Sequence, residues 1–294
     1  MQGSDNLVGI MQYNKLIWLI GSLTSEPWFD SGANNFPYQS VPQVLIPMGC
    51  CAPFSITRTQ SALCWLHQSE RGRGIFVAAS DYNPQRISTY AVEAIWATYP
   101  SLANAVAYSL TWRGHELVVL NFPYGTWVYD FGEKLWHQWS WWNQTTGTHD
   151  RDRGWVHCQA FNANFVGDWE TGVIYKLDDS IAKDDSNPII WERAAPHMSN
   201  TKKFLFFGNF QLDTETGLGG STPTARLAWS DDGGKTYSSG VDMSLGANGQ
   251  YPTRCRAAGN LGRSRDRVFR VRISNDVPPS GVLGAYVDVN PGTN

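Results

Sequence analysis

The chain has 294 residues, 42% hydrophobic and only 17% charged, with a formal net charge of −3. That is ample for a core and gives no global basic signature of the kind nucleic acid calls for. Fourteen tryptophans in a 13% aromatic fraction, beside so few charges, suit sheet-on-sheet packing and a surface partly covered by neighbours. No apolar run approaches the ~18 residues of a membrane span, so membrane insertion is not expected.

Read in chain order, one pattern recurs: a short apolar strand, a turn, and a second strand carrying an aromatic residue. Leu16–Ile20 leads to Glu26–Asp30, Leu63–Leu66 to Gly74–Val77, Leu117–Leu120 to Thr126–Asp130, and Phe165–Trp169 to Gly172–Tyr175. The starts at 16, 63, 117 and 165 are 47, 54 and 48 residues apart, close to the roughly 40–50 residues of a propeller blade. The expected fold is therefore all-β, with repeated antiparallel sheets arranged as propeller blades in one domain over 1–294. Between the first two units, Val41–Phe54 holds three prolines and reads as a buried inter-blade connection. Ser88–Tyr99 places Ala91, Val92, Ile95 and Trp96 at helical spacing and predicts a short helix between sheets. After the third unit, Leu135–Trp139 reads as the outer arm of a hairpin, and polar Asn143–Arg153 as an exposed connection.

From Phe204 the texture changes, and 204–294 is expected to be a distinct closing β region. Phe204–Leu212 is a near-continuous apolar strand, followed by a Gly/Thr-rich loop over Thr214–Thr224. Ser230–Tyr237 then matches the Asp-box pattern S-x-D-x-G-x-T-[WY]. In that turn Asp232 accepts backbone N–H bonds, Gly234 takes a positive φ, Ser230 opens it, and Thr236 and Tyr237 begin the next strand.

Five cysteines, at 50, 51, 64, 158 and 255, include no C-x-x-C pair, and no basic-then-apolar leader opens the chain. Free thiols in a reducing compartment are expected. Cys64 with His67, and His157 with Cys158, lack the tight paired spacing of zinc ligands, so neither metal nor cofactor is expected. The carboxylates Glu26 with Asp30, or Asp168 with Glu170, would be the acid and base of a sialidase-like propeller. Asp30 and Asp168, however, stand where a turn wants Asp for backbone bonding. Seven arginines and one acid, Asp266, lie between Arg254 and Arg272. Strand alternation puts Phe269, Val271 and Ile273 on one face and Val268, Arg270 and Arg272 on the other. Arg263, Arg265, Arg270 and Arg272 are the candidate interface or channel residues; the plainer alternative is local ion pairing with Asp266 or Asp276.

A set of longer motifs runs through the chain in order. It comprises Trp28–Gly32, Asn35–Gln39, Arg71–Ile75, Tyr82–Thr89, Val166–Tyr175, Phe210–Gly217, Trp229–Gly234 and Leu261–Phe269. The set resembles the packaged-DNA stabilization proteins of short-tailed phages, also called tail hub or nozzle proteins. The resemblance implies a structural, non-catalytic virion protein at the head–tail junction, assembled in the cytoplasm of the bacterial host. It further implies a homo-hexameric ring below the portal and its adaptor, through which genomic DNA passes. Such a ring retains the packaged genome and connects to the tail needle or tip and to the tailspikes. Family members carry blade-like sequence before the first motif found here, so the ring of blades is expected to be incomplete at the N-terminus. A carbohydrate-binding or sialidase-like propeller of a tail appendage is the alternative.

Overall fold

The computed structural model describes residues 5–68, 74–184, 187–220, 223–274 and 281–292; Arg71, Arg73 and Asp276 lie outside them. The chain divides into two compact units, 1–177 and 178–294, where the sequence reading ran a single domain over 1–294. The physical reason is that each unit closes its own hydrophobic core.

The first unit is four antiparallel sheets in succession, each a meander in which consecutive strands pair. Sheet one is β1 (Leu7–Tyr13), β2 (Leu16–Gly21), β3 (Ser25–Asp30) and β4 (Tyr38–Ser40). Sheet two is β5 (Thr57–Arg58), β6 (Leu63–Gln68), β7 (Gly74–Ala79) and β8 (Gln85–Arg86). Sheet three is β9 (Val106–Trp112), β10 (His115–Phe122), β11 (Gly125–Asp130), β12 (Leu135–Asn143) and β13 (Thr148–Arg151). Sheet four is β14 (Gly154–Ala160), β15 (Ala163–Asp168) and β16 (Ile174–Lys176). The four expected hairpins are therefore the second and third strands of each blade. Asn143–Arg153, expected as an exposed connection, instead folds back as β13, because Ser140 to Asn143 pair with Thr148 to Arg151.

Three blades open with the same two-residue turn. Asn14-Lys15, Arg113-Gly114 and Phe161-Asn162 all hold positive φ, the geometry that matches the twist of a tight hairpin. The first strands of successive blades lie side by side. The Arg58 guanidinium of β5 donates to the Gln12 carbonyl of β1 at 3.2 Å, and the Ser109 hydroxyl of β9 donates to the Arg58 carbonyl at 2.7 Å. Asn164 reaches the Thr111 carbonyl from blade four at 3.4 Å.

Between neighbouring blades the buried faces interlock. Trp18 and Ile20 of blade one pack on Trp65 and Val77 of blade two, with the two indole centroids 6.2 Å apart. Leu66 and Phe76 of blade two meet Val118, Leu120 and Trp127 of blade three. Tyr108, Leu110 and Val119 of blade three meet Val166 of blade four. The predicted helix, α1 (Tyr90–Trp96), sits where blades two and three meet, and the Thr89 hydroxyl caps it by accepting the Val92 N–H. Trp96 at its end is fully buried. Val41–Phe54 is only partly buried: Ile46, Cys50 and Ala52 enter the cores, while Gln43, Leu45 and Phe54 stay exposed.

All five cysteines are free. Burial pushes the Cys51 thiol up to about 12 and the Cys255 thiol up to about 11, and raises Cys50 and Cys64 as well. Only exposed Cys158 is expected to react with a thiol reagent in the native protein at pH 8, with the other four titrating on unfolding. A native count above one would contradict this packing.

The second unit opens with a short hairpin, β17 (Lys183–Asp184) and β18 (Asn187–Pro188). There follow β19 (Trp191–Ala194), β20 (Met198–Ser199), β21 (Leu205–Thr214), β22 (Thr224–Ser230) and β23 (Val241–Ser244). The unit closes with β24 (Arg256–Ala257), β25 (Gly262–Ser264), β26 (Asp266–Ile273) and β27 (Val282–Pro291). One sheet has the order β19-β26-β22-β23, with β20 also on β26. In the other, β21 pairs with β27 along one side and with β25 and β24 along the other. Phe207, Phe210 and Leu212 from β21 pack against Leu227, Phe269 and Ile273 from the facing sheet. The change of texture near 204 marks the start of β21, inside this unit.

Candidate functional site

The Asp-box turn joins β22 to β23. Asp232 accepts the Ser230 hydroxyl at 2.6 Å, the Thr236 hydroxyl at 2.6 Å, and the N–H groups of Lys235 and Thr236 at 3.0 and 2.9 Å. Gly234 holds φ +88° and donates its N–H to the Ser230 oxygen at 2.8 Å. The strand resumes only at Val241, so Thr236 and Tyr237 belong to the turn itself; bonding to Asp232 keeps the backbone off the ladder. Tyr237 faces elsewhere, with the Arg270 guanidinium 3.7 Å above its ring.

The neighbouring Asp231, an unspecified position of the pattern, carries a contact the sequence did not announce. Its two oxygens accept Arg267 Nε and Nη2 at 2.7 and 2.8 Å, while Arg267 Nη1 donates to the Leu261 carbonyl at 2.6 Å. The Arg267 side chain is 2% exposed, and its guanidinium lies against the rings of Phe207, Trp229 and Phe269. A buried guanidinium needs such a bidentate carboxylate and flat aromatic faces to replace its hydration. The signal available in the sequence was one aspartate at an unspecified pattern position and one arginine among seven.

Hydrogen bonds from Arg267 hold the Asp231 carboxyl below the usual range, and those from Ser230 and Thr236 do the same for Asp232. Depressed folded values contribute stability above the ordinary Asp value near 3.9 that is lost as pH falls through the folded values. The melting temperature of the second unit is expected to drop as pH falls below about 4. Asp232→Asn, which cannot titrate there, should show a shallower acid decline, and an unchanged decline would contradict the assignment.

The candidate arginines divide into two kinds. Arg272 Nε and Nη2 donate to Glu192 at 2.9 and 2.6 Å, and Arg270 stands 3.7 Å from the same carboxylate. These are local ion pairs, though with Glu192; Asp266 instead faces His197 at 2.9 Å. Phe269 and Ile273 are buried and Val271 packs against the same core, as the alternation predicts. Arg263 and Arg265 are exposed and lie over the Phe204 ring at 4.8 and 4.3 Å.

The carboxylate pairs form no acid–base arrangement. Glu26 is fully buried beside the Trp28 indole N–H at 3.3 Å, and Asp30 caps a turn through the Gly32 N–H at 2.9 Å. Asp168 is taken by Arg153 at 2.7 Å and by the N–H groups of Glu170 and Thr171, as the turn reading expects. His67 sits on the Gly49 carbonyl and His157 on Asn164. Among the described residues no group of three His, Cys, Asp or Glu could hold a metal ion, and no helix is long and apolar enough to cross a membrane.

An interlock of another kind joins blades three and four. Arg151 is 9% exposed and lies between Trp155 and Trp169, at 4.3 and 4.6 Å from their rings. Burial lowers its pKa to about 10. In the second unit a cleft of about 680 Å³ between the sheets is lined by Phe210, Leu212, Phe269 and Leu283, with Glu192 and Arg193 at its charged end.

Packed antiparallel blades followed by a two-sheet sandwich, with arginines used as packing and pairing groups, define an all-β protein of two parts. Two family models match the chain in the same order: "Bacteriophage P22 Gp10, beta-propeller" over residues 2–182 and "Bacteriophage P22 Gp10, beta-sandwich" over residues 190–290. The chain belongs to the bacteriophage P22 Gp10 family, whose members are structural tail hub proteins that stabilise packaged DNA. No curated protein matches it. Among solved structures, an exo-beta-1,3-galactanase from Phanerochaete chrysosporium, crystallised with galactose, is 9% identical, with 96% of this chain and 68% of that one covered. Its TM-score is 0.25, too slight a likeness to bear on fold or activity.

Proposed function

We propose that this chain is the subunit of a homo-hexameric ring in a short-tailed phage, below the portal and its adaptor, working by geometry and without catalysis. The ring continues the portal channel, retains the packaged genome, passes it at ejection, and connects to the tail needle or tip and to the tailspikes. Membership of a phage tail hub family carries this reading. The exposed apolar side chains of the first unit support it. Ile10, Phe36, Phe54, Tyr90, Phe161 and Ile174 are each more than half exposed, Phe161 at 96%. Large exposed apolar groups of this kind mark surfaces that neighbours cover. Arg270 and Arg272, committed to Glu192, serve the sandwich; Arg263 and Arg265 remain as contact residues. The test is to image particles by electron microscopy and count copies of this chain at the head–tail junction. Particles made without it should package DNA and then lose it. A soluble monomer absent from the virion would sink the reading.

A further inference from the structure

We infer that the cleft between the two sheets of the second unit is a binding site for a single-chain amphiphile with an anionic head, in the simplest case a medium-chain carboxylate. Strand pairing decides what faces the cleft. Trp191 and Arg193 of β19 pair across from Ile273 and Val271 of β26. Directly opposed residues share a face of a sheet. Ile273 is buried in the sandwich core and Val271 packs against it, so Trp191 and Arg193 extend that inner face. On the facing sheet Ala285 and Val287 pair with Leu212 and Phe210 and do the same. At this end the inner faces are left uncovered: Trp191 is 42% exposed, and Arg193 and Ala285 are exposed as well. The space they border, about 680 Å³, falls within the roughly 300–1,000 Å³ of small-molecule sites.

The head group is read from the charged end. Of the two charged residues there, Arg193 is the one that pairing turns inward. Glu192 stands on the opposite face of β19, where Arg272 and Arg270 hold its carboxylate. No described carboxylate lies within the 4.0 Å of an ion pair from Arg193. Asp213 and Asp288 of the facing sheet alternate with Leu212 and with Val287 and Val289, which places them on its outer face. Other cations of this unit without a described carboxylate partner, Lys235 and Arg254 among them, do not line the cleft. A guanidinium beside an apolar cleft offers a carboxylate two parallel N–H bonds while its own stem rests on hydrocarbon.

An alkyl chain suits this lining better than a peptide does. β19 pairs only with β26 and β27 only with β21, so a further strand could be added beside either edge. A strand laid inside the cleft, however, would bring backbone N–H and C=O groups that need partners. Phe210, Leu212, Phe269 and Val271 offer it only hydrocarbon. A chain of methylenes needs nothing but apolar cover, and its one polar end meets Arg193. The site is complete within the second unit and independent of the hub function.

Isothermal titration of the full chain at pH 8 with dodecanoate, kept below its micelle concentration, tests the assignment. One dodecanoate per chain is expected, with decanoate at least about fivefold weaker for two methylenes fewer. Arg193→Gln should weaken dodecanoate about fivefold, the upper worth of an exposed ion pair, and leave dodecanol unchanged. Ala285→Trp fills the cleft from β27 and should abolish binding of both. Both positions are exposed, so both variants should keep the parent's urea midpoint. Dodecyltrimethylammonium should bind no better than dodecanol. Absence of dodecanoate binding, or equal binding of the ammonium and the carboxylate, would overturn the assignment. Several dodecanoates per chain, unaffected by Ala285→Trp, would overturn it as adventitious coating of exposed apolar side chains. Preference for phosphatidylglycerol vesicles over monomeric dodecanoate would overturn it in favour of a membrane surface. Self-association of the chain that Ala285→Trp abolishes would overturn it by giving the cleft to a second copy.

Discussion

Asp231→Ala is expected to cost the second unit about 3 kcal/mol, more than removal of its partner by Arg267→Met. The asymmetry follows from burial. The Arg267 side chain is 2% exposed and the Asp231 side chain 44%. Taking away the carboxylate strands a cation in the interior with only the Leu261 carbonyl and three ring faces for solvation. Breaking a buried pair from that side costs about 3–5 kcal/mol, and the rings bring the value to the low end. Arg267→Met leaves a half-exposed carboxylate that water can solvate and fills much of the vacated space, so about 1 kcal/mol is expected. Urea unfolding of the full chain measures both, and the double variant should recover much of the Asp231→Ala loss. A smaller loss in Asp231→Ala than in Arg267→Met would show that the pair contributes through packing and not through charge compensation.

Trp96→Ala should be the most damaging single truncation in the first unit, at about 4 kcal/mol. The indole is fully buried and meets Phe122 at 5.5 Å, Trp136 at 5.5 Å and Trp127 at 6.3 Å, each ring on blade three. The helix bearing it follows directly on blade two, so one side chain joins two sheets. Its Nε1 has no hydrogen-bond partner among the described residues, so the expected loss is of packing and apolar burial. Trp96→Phe should then recover about half the loss, which a lost hydrogen bond would not permit. Near-ultraviolet circular dichroism and urea midpoints read this out; a Trp96→Ala protein within about 1 kcal/mol of the parent would refute the central role given to this ring.

The second and third strands of each blade were legible because they are the buried ones. Leu63 to Leu66 and Leu117 to Leu120 are nearly continuous apolar runs. Two opening strands, β5 and β14, were not read for the opposite reason. β5 is two residues long, and β14 exposes Val156, Cys158 and Gln159, so neither has an apolar period to detect. The short helix was readable from Val92 and Trp96, which are buried along with Glu93, whereas Ala91 and Ile95, read at the same spacing, are exposed. Glu93 is kept inside by Arg86 and by the Ser88 hydroxyl, a pairing set by tertiary contact. At the candidate site the Asp-box turn was legible because its bonds are local, all within seven residues. Arg267 was not: its partner lies 36 residues away and no period marks one arginine of a run as the buried one.

The succession of shared cores in the first unit has a consequence for synthesis. Blade one holds Trp18 and Ile20 against side chains that arrive only with β6 and β7. Blade two likewise awaits blade three, and blade three awaits Val166. Stability therefore accrues by nearest-neighbour docking, as in a linear array of repeats. On the ribosome the chain can fold vectorially, each emerging sheet sealing the one before it and exposing a fresh face for the next. A truncation after β12 would leave Tyr108 and Val119 without the Val166 side chain that shares their core.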